Sequence, residues 1–177
     1  MASKYVLFNG VGGQTSGVAS SSNLGNMNAY GMGGTEYYFF CQDSIINGNA
    51  IWFKELCEKI IASGLADIHI TFGGNTRLQA NMRDLDTMRL YRRAGLTKFI
   101  TGFESASEPV LRHMKKYTNK EGVKEIFENV RQINKENEWP MQFAMQLIIG
   151  YLNEGEEEFQ ETMDFIEEYY DVMAEIL

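Results

Sequence analysis

The stretch FITGFESASEPVLRHMKK, residues 99–116, decides the fold. An apolar run ends in Gly102 and places the carboxylate of Glu104 at its tip. It then passes directly into a helical pattern, through residue 115, that Ser107 can cap. This is a strand, a turn and a helix, and the same unit recurs on both sides. Upstream, residues 36–42 (EYYFFCQ) are aromatic and strand-like. Residues 50–63 (AIWFKELCEKIIAS) set Ile51, Leu56, Ile60 and Ile61 at helical spacing, and Gly64 suits the helix C-terminus. Residues 67–73 (DIHITFG) read as the next strand. Asp84 is placed to cap a helix that runs to Ala94 and stops at Gly95, and residues 96–103 return as a strand. Downstream, Asn119 can cap a helix over residues 120–136. Residues 141–150 (MQFAMQLIIG) read as a buried strand. Residues 154–177 read as one long acidic amphipathic helix, with Phe159, Met163, Phe165 or Ile166, and Tyr169 or Tyr170 on one side.

Strands alternating with helices of this length are βαβ units, which require a mainly parallel sheet. The fold class expected is α/β, a partial (β/α) barrel of four strands with residues 5–8 (YVLF) as a candidate fifth. Residues 1–34 stand apart. From residue 9 to 34 they are rich in Gly, Ser and Asn and carry no charge, a composition that buries too little surface to offset ordering. The expectation is a long loop or disordered segment ahead of a barrel unit at residues 35–177.

The 177 residues suffice for one domain with a core. A net charge of −8 argues against a nucleic-acid backbone or an anionic membrane as the main partner. No stretch approaches the roughly 18 apolar residues of a membrane helix, and the N-terminus lacks a secretory pattern. Two cysteines, Cys41 and Cys57, make no disulfide framework, so a reduced cytoplasmic setting is expected. Four or five parallel strands leave open edges, through which self-association is expected.

Functional groups of parallel α/β folds gather at the C-terminal ends of strands. Here those ends are residues 42–44, 73–77, 102–105 and 146–154, each polar immediately after apolar residues. Read together, FFCQDSIINGN, LCEKIIASGLADIHITFGGNTRL, AGLTKFITGFESASEPVLRHMKKYTN and LIIGYLNEGEEEFQETMDFIEE resemble the radical S-adenosylmethionine superfamily, in the group associated with cobalamin-binding domains. The resemblance covers residues 35–170 in order and spacing.

It implies S-adenosylmethionine bound across the strand ends and a [4Fe–4S] cluster held by Cys-x3-Cys-x2-Cys after the first barrel strand. In the family that cluster cleaves the sulfonium reductively to a 5′-deoxyadenosyl radical. It implies Glu104, with Ser105 beside it, as the acceptor of ribose hydroxyls, where a charged acceptor is strong. Gln146 stands where an Asp often touches ribose. Ile148 and Gly150 fit an apolar-x-Gly element beside the adenine, and Glu154 fits the Glu that follows it. Arg77 matches an arginine able to pair with the methionyl carboxylate, and Asp43 meets the methionyl amine. Residue by residue, plainer roles stay open: a helix N-terminal carboxylate for Glu104, a turn for Asp43, a buried amide for Gln146, an ion pair with Glu104 or Asp43 for Arg77.

The cluster motif is absent. Cys41 and Cys57 are sixteen residues apart and read as core residues, and no metal site is assigned. Ser16 and Ser20 have the x3 spacing, but neutral hydroxyls do not replace thiolates. The loop is no phosphate cradle either, since it lacks the Walker and Gly-x-Gly-x-x-Gly spacings. Asp67-x-His69 resembles a cobalamin-ligating motif with its Gly one residue late, so His69 reads as a strand residue. His113 reads as solvated. The expected function is a fragment or degenerate form of a radical S-adenosylmethionine core that binds S-adenosylmethionine and is inactive alone. The alternatives are a non-catalytic nucleoside-binding module and a structural scaffold.

Overall fold

The structure is a computed structural model that describes residues 37–68, 70–116, 119–138 and 140–176. The N-terminal segment, the candidate strand at residues 5–8 and His69 lie outside the described residues. Five strands form one sheet: Tyr37–Cys41 (β1), Ile70–Asn75 (β2), Leu96–Glu104 (β3), Gln142–Leu147 (β4) and Met173–Ile176 (β5). They lie side by side in chain order, and every pair is parallel. The helices Ala50–Ala62 (α1), Leu85–Arg93 (α2), Glu108–His113 (α3), Lys120–Glu136 (α4) and Glu156–Tyr169 (α5) fill the connections. Parallel crossovers are right-handed. A sheet that always grows in one direction therefore collects its helices on one face and curls, as a segment of a (β/α) barrel does. A doubly wound sheet must instead reverse its order.

Local chemistry sets the helix starts. Asn49 caps α1, its Oδ1 accepting from the amides of Ile51 and Trp52 at 3.1 Å each. Asp84 caps α2, accepting from Thr87 N at 2.8 Å. Asn119 caps α4, accepting from Gly122 N at 3.1 Å. Each satisfies amides that the first helical turn leaves without partners. Between sheet and helices runs an aromatic column. Phe143 of β4 stacks on Phe99 of β3 at 4.8 Å and on Phe127 of α4 at 4.4 Å. Phe103 of β3 stacks on Phe165 of α5 at 4.7 Å, and Tyr169 closes the end against Phe127. Phe99, Phe103, Phe127 and Phe143 are fully buried, so apolar burial and ring packing together tie two strands and two helices to one core.

Four boundaries differ from the sequence reading. The long C-terminal helix stops at Tyr169, turns through Tyr170–Val172 and becomes β5. The edge of β4 needs backbone partners, and β5 supplies them at Phe143, Ala144 and Met145. Of the paired alternatives on α5, Phe165 and Tyr169 are buried, Tyr170 is exposed, and Phe159, Met163 and Ile166 are half-buried. Residues 65–68 form a 3₁₀ turn, so β2 begins at Ile70 and runs on to Asn75. β4 ends at Leu147, and the backbone at 148–150 leaves the sheet. The helix after Ser107 ends at His113, and Ser107 makes no side-chain cap bond. Among the described residues no helix is long and apolar enough to cross a membrane.

Candidate ligand-binding site

The C-terminal ends of β2, β3 and β4 open into one cavity of about 940 Å³. β3 supplies its central feature. Gly102 pairs with Gln146 of β4, but the next pair is Glu104 with Leu147, so Phe103 is an extra residue in the strand. This bulge turns Phe103 into the core, and Glu104 takes a left-handed backbone (φ 70°). The Glu104 carboxylate folds back over Gly102: a Cβ built at residue 102 would lie 2.6 Å from Glu104 Oε1. Lys116 Nζ donates to the same oxygen at 2.9 Å. Glu104 O accepts from Ile148 N at 2.9 Å, which pins the left-handed turn to the segment after β4.

The loop after β2 forms the second wall. Buried Asn47 grips it at both backbone groups of Arg77. Asn47 Nδ2 donates to Arg77 O and Asn47 Oδ1 accepts from Arg77 N, each at 2.8 Å. Thr76 N donates to Ile100 O at 2.7 Å and ties the same loop to β3. The third wall is the start of α4. Arg83 lays its guanidinium on Gly122, where any Cβ would overlap it outright. Its Nε is 3.6 Å from Glu125 Oε2.

Of the residues singled out in the sequence, Arg77, Glu104 and Gln146 line this cavity together. Asp43 is exposed beyond β1 and does not; its neighbour Ser44 does. Ser105 is fully buried behind the cavity wall. Its Oγ lies 3.2 Å from Thr162 Oγ1 of α5 and accepts from Ser107 N at 3.0 Å, so it joins the turn to α5. Ile148 and Gly150 are not among the lining residues. Ile148 is half exposed, and Gly150 has a positive φ (75°) and open space where a Cβ would stand. Gly150 N donates to the carboxylate of Glu154, which gives that residue a loop-closing contact. His113 makes an edge contact with the ring of Tyr151.

The sequence reading missed Asn47, Arg83, Lys115 and Gly122. Nothing in the spacing of Asn47 announces a contact thirty residues away. Gly122 interrupts a helix pattern, and that was the available signal for a close approach.

The cysteines do not fit an iron–sulfur cluster. Burial, with the charge of Asp43 adding to it, pushes Cys41 up to about 11, and burial pushes Cys57 up to about 12. A cluster needs three or four thiolates, and the chain offers two cysteines, one on β1 and one buried in α1. Among the described residues no group of three or more His, Cys, Asp and Glu could hold a metal ion.

No family model matches the chain. Over 136 residues, 77% of this chain, it is 32% identical to the anaerobic magnesium-protoporphyrin IX monomethyl ester cyclase of Cereibacter sphaeroides. Over 101 residues, 57% of this chain, it is 36% identical to the enzyme of the same name from Synechocystis sp.. The chain spans about one fifth of the length of these relatives. Among solved structures it is similar to the radical S-adenosylmethionine methyltransferase TsrM of Kitasatospora setae, with a TM-score of 0.61 at 14% identity over 75% of this chain and 26% of that one. It is also similar to the cobalamin-dependent S-adenosylmethionine radical enzyme OxsB, with a TM-score of 0.54 at 18% identity over 81% of this chain and 21% of that one. Sequence kinship and shared fold agree with the strand-end motifs: the chain is part of a radical S-adenosylmethionine core, in the group associated with cobalamin.

Proposed function

We propose that the chain binds S-adenosylmethionine in the cavity at its strand ends and builds no iron–sulfur cluster from its own residues. The observation that carries this reading is Glu104. Its backbone is left-handed after a bulge, at a cost on the order of 1–3 kcal/mol for a residue other than Gly. The result is a carboxylate laid over a glycine at the mouth of the cavity, with Gln146 across the strand pair. A carboxylate so placed can accept from both hydroxyls of a ribose, with Lys116 Nζ, 2.9 Å from its Oε1, offsetting its charge. Arg77, anchored through its backbone by Asn47, offers a planar donor pair to the methionyl carboxylate. Bound at this site, S-adenosylmethionine supplies an electrophilic sulfonium. The residues here bind and orient it; none of them supplies an electron.

Titration calorimetry of the whole chain with S-adenosylmethionine tests the reading. Saturable heat is expected, and Glu104→Ala is expected to weaken binding about 10- to 150-fold. That range corresponds to roughly 1.5–3 kcal/mol for a hydrogen bond to a charged group. Absence of heat at millimolar ligand points to a scaffold role. Unchanged affinity in Glu104→Ala removes Glu104 from the site.

A further inference from the structure

The cavity carries more positive charge than the proposed ligand uses. Four basic residues line it, Arg77, Arg83, Lys115 and Lys116, against one acidic residue, Glu104, in a chain whose net charge is −8. Lys116 is paired with Glu104 at 2.9 Å. Arg77 answers the methionyl carboxylate in the reading above. Arg83 and Lys115 remain. Glu125 offsets Arg83 only through a long 3.6 Å contact, and its carboxylate is itself largely exposed. Lys115 has no ion pair among the described residues.

Two structural details set these positions apart. Gly122, in the first turn of α4, leaves the notch in which the Arg83 guanidinium lies; a side chain there would displace the guanidinium. Lys115 occupies the left-handed position that ends α3, with φ 56°. Its amide donates to Arg112 O at 3.0 Å and the Lys116 amide to Leu111 O at 2.9 Å, a helix ending at which Gly is the usual residue. Glu104 and Lys115 are the two non-glycine residues with positive φ among the described residues, and both line this cavity. The volume, about 940 Å³, is at the upper end of the roughly 300–1,000 Å³ of small-molecule sites.

We infer that the part of the cavity lined by Arg83 and Lys115 is a subsite for the oxyanion of a second small ligand, a carboxylate or a phosphate ester, bound beside the adenosyl compound. As a co-substrate site the inference rests on the proposed function; as an anion site it does not. Arg83 offers a planar fork and Lys115 a point charge, a pair suited to either group.

Calorimetry of the full chain with inorganic phosphate and with succinate, at low ionic strength, tests this. Saturable binding of at least one is expected, and the tighter of the two names the oxyanion. Arg83→Gln is expected to weaken it about tenfold. Lys115→Gly is expected to do the same while folding at least as well, because it gives the left-handed position its preferred residue. No saturable heat with either anion overturns the inference, as does wild-type affinity in both variants. Glu104→Ala separates the two readings: it is expected to bind S-adenosylmethionine about 10- to 150-fold more weakly and keep the anion. A protein that binds anions but never S-adenosylmethionine sinks the adenosyl reading alone.

Discussion

Gly102→Ala separates the stability of the barrel wall from the aim of its carboxylate. The backbone at residue 102 is not left-handed, so alanine is allowed there, and Ala in a strand is favoured over Gly by roughly 0.5–1 kcal/mol. Against that, the new methyl would sit 2.6 Å from Glu104 Oε1. The atom it meets is the end of a flexible side chain, so the carboxylate moves and the sheet does not. Moving it breaks the 2.9 Å contact with Lys116, an exposed pair worth about 0–1 kcal/mol. The two changes offset, and the stability of Gly102→Ala is expected to stay within about 1 kcal/mol of the parent in urea unfolding. Binding of S-adenosylmethionine is expected to fall about 10- to 150-fold, because one charge-assisted hydrogen bond is lost at roughly 1.5–3 kcal/mol. The Gly102→Ala/Glu104→Ala double variant is expected to bind no more weakly than Glu104→Ala alone, since both changes remove the same contact. Additive losses, or a Gly102→Ala chain that binds as the parent does, would refute the coupling.

Phe127→Ala removes a fully buried ring that touches Phe143, Phe165 and Tyr169, and is expected to cost about 3–5 kcal/mol in urea unfolding; a loss under about 1 kcal/mol would mean that the aromatic column is not the core. Asn47→Ala leaves the amide and carbonyl of Arg77 without partners, so a loss of about 1–3 kcal/mol is expected together with weaker S-adenosylmethionine binding; unchanged affinity would detach Arg77 from the site. The raised thiols of Cys41 and Cys57 favour the fold fully below about pH 9, and that contribution is lost as pH rises through about 11 and 12. The urea midpoint is therefore expected to be lower at pH 10.5 than at pH 8, with a smaller drop in Cys57→Ala; equal midpoints in the parent would contradict buried thiols.

What the sequence reveals about this fold depends on how local the cause is. The starts of α2 and α4 rest on one capping side chain and the amide three residues on, so Asp84 and Asn119 were readable. The end of α5 rests on a non-local cause. Residues 170–176 fit a helical pattern by themselves, and only the open edge of β4, about thirty residues away, draws them into a strand. The site divides in the same way. Arg77, Glu104 and Gln146 end their strands in polar tips, a pattern visible in one dimension. Ser105 belongs to the same run, yet the bulge at Phe103 sets its side chain toward Thr162, and no period-two count foresees a bulge. Arg83 required knowing that Gly122 would lie beneath it.

The placement of strain gives the two-ligand reading its force. A left-handed Lys at a helix end costs about 1 kcal/mol relative to Gly, and nothing in the packing of α3 demands a long side chain there, since Lys115 is exposed. Glycine was accessible to the fold: Gly64 and Gly95 take the left-handed role behind α1 and α2, and neither lines the cavity. The same chain thus uses the unstrained residue at two helix ends and a charged residue at the third, the one that faces the cavity. If that amine serves only solvation, Lys115→Gly gains stability and loses nothing; if it holds an oxyanion, the gain in stability comes with about a tenfold loss of anion affinity, and the two measurements together decide between them.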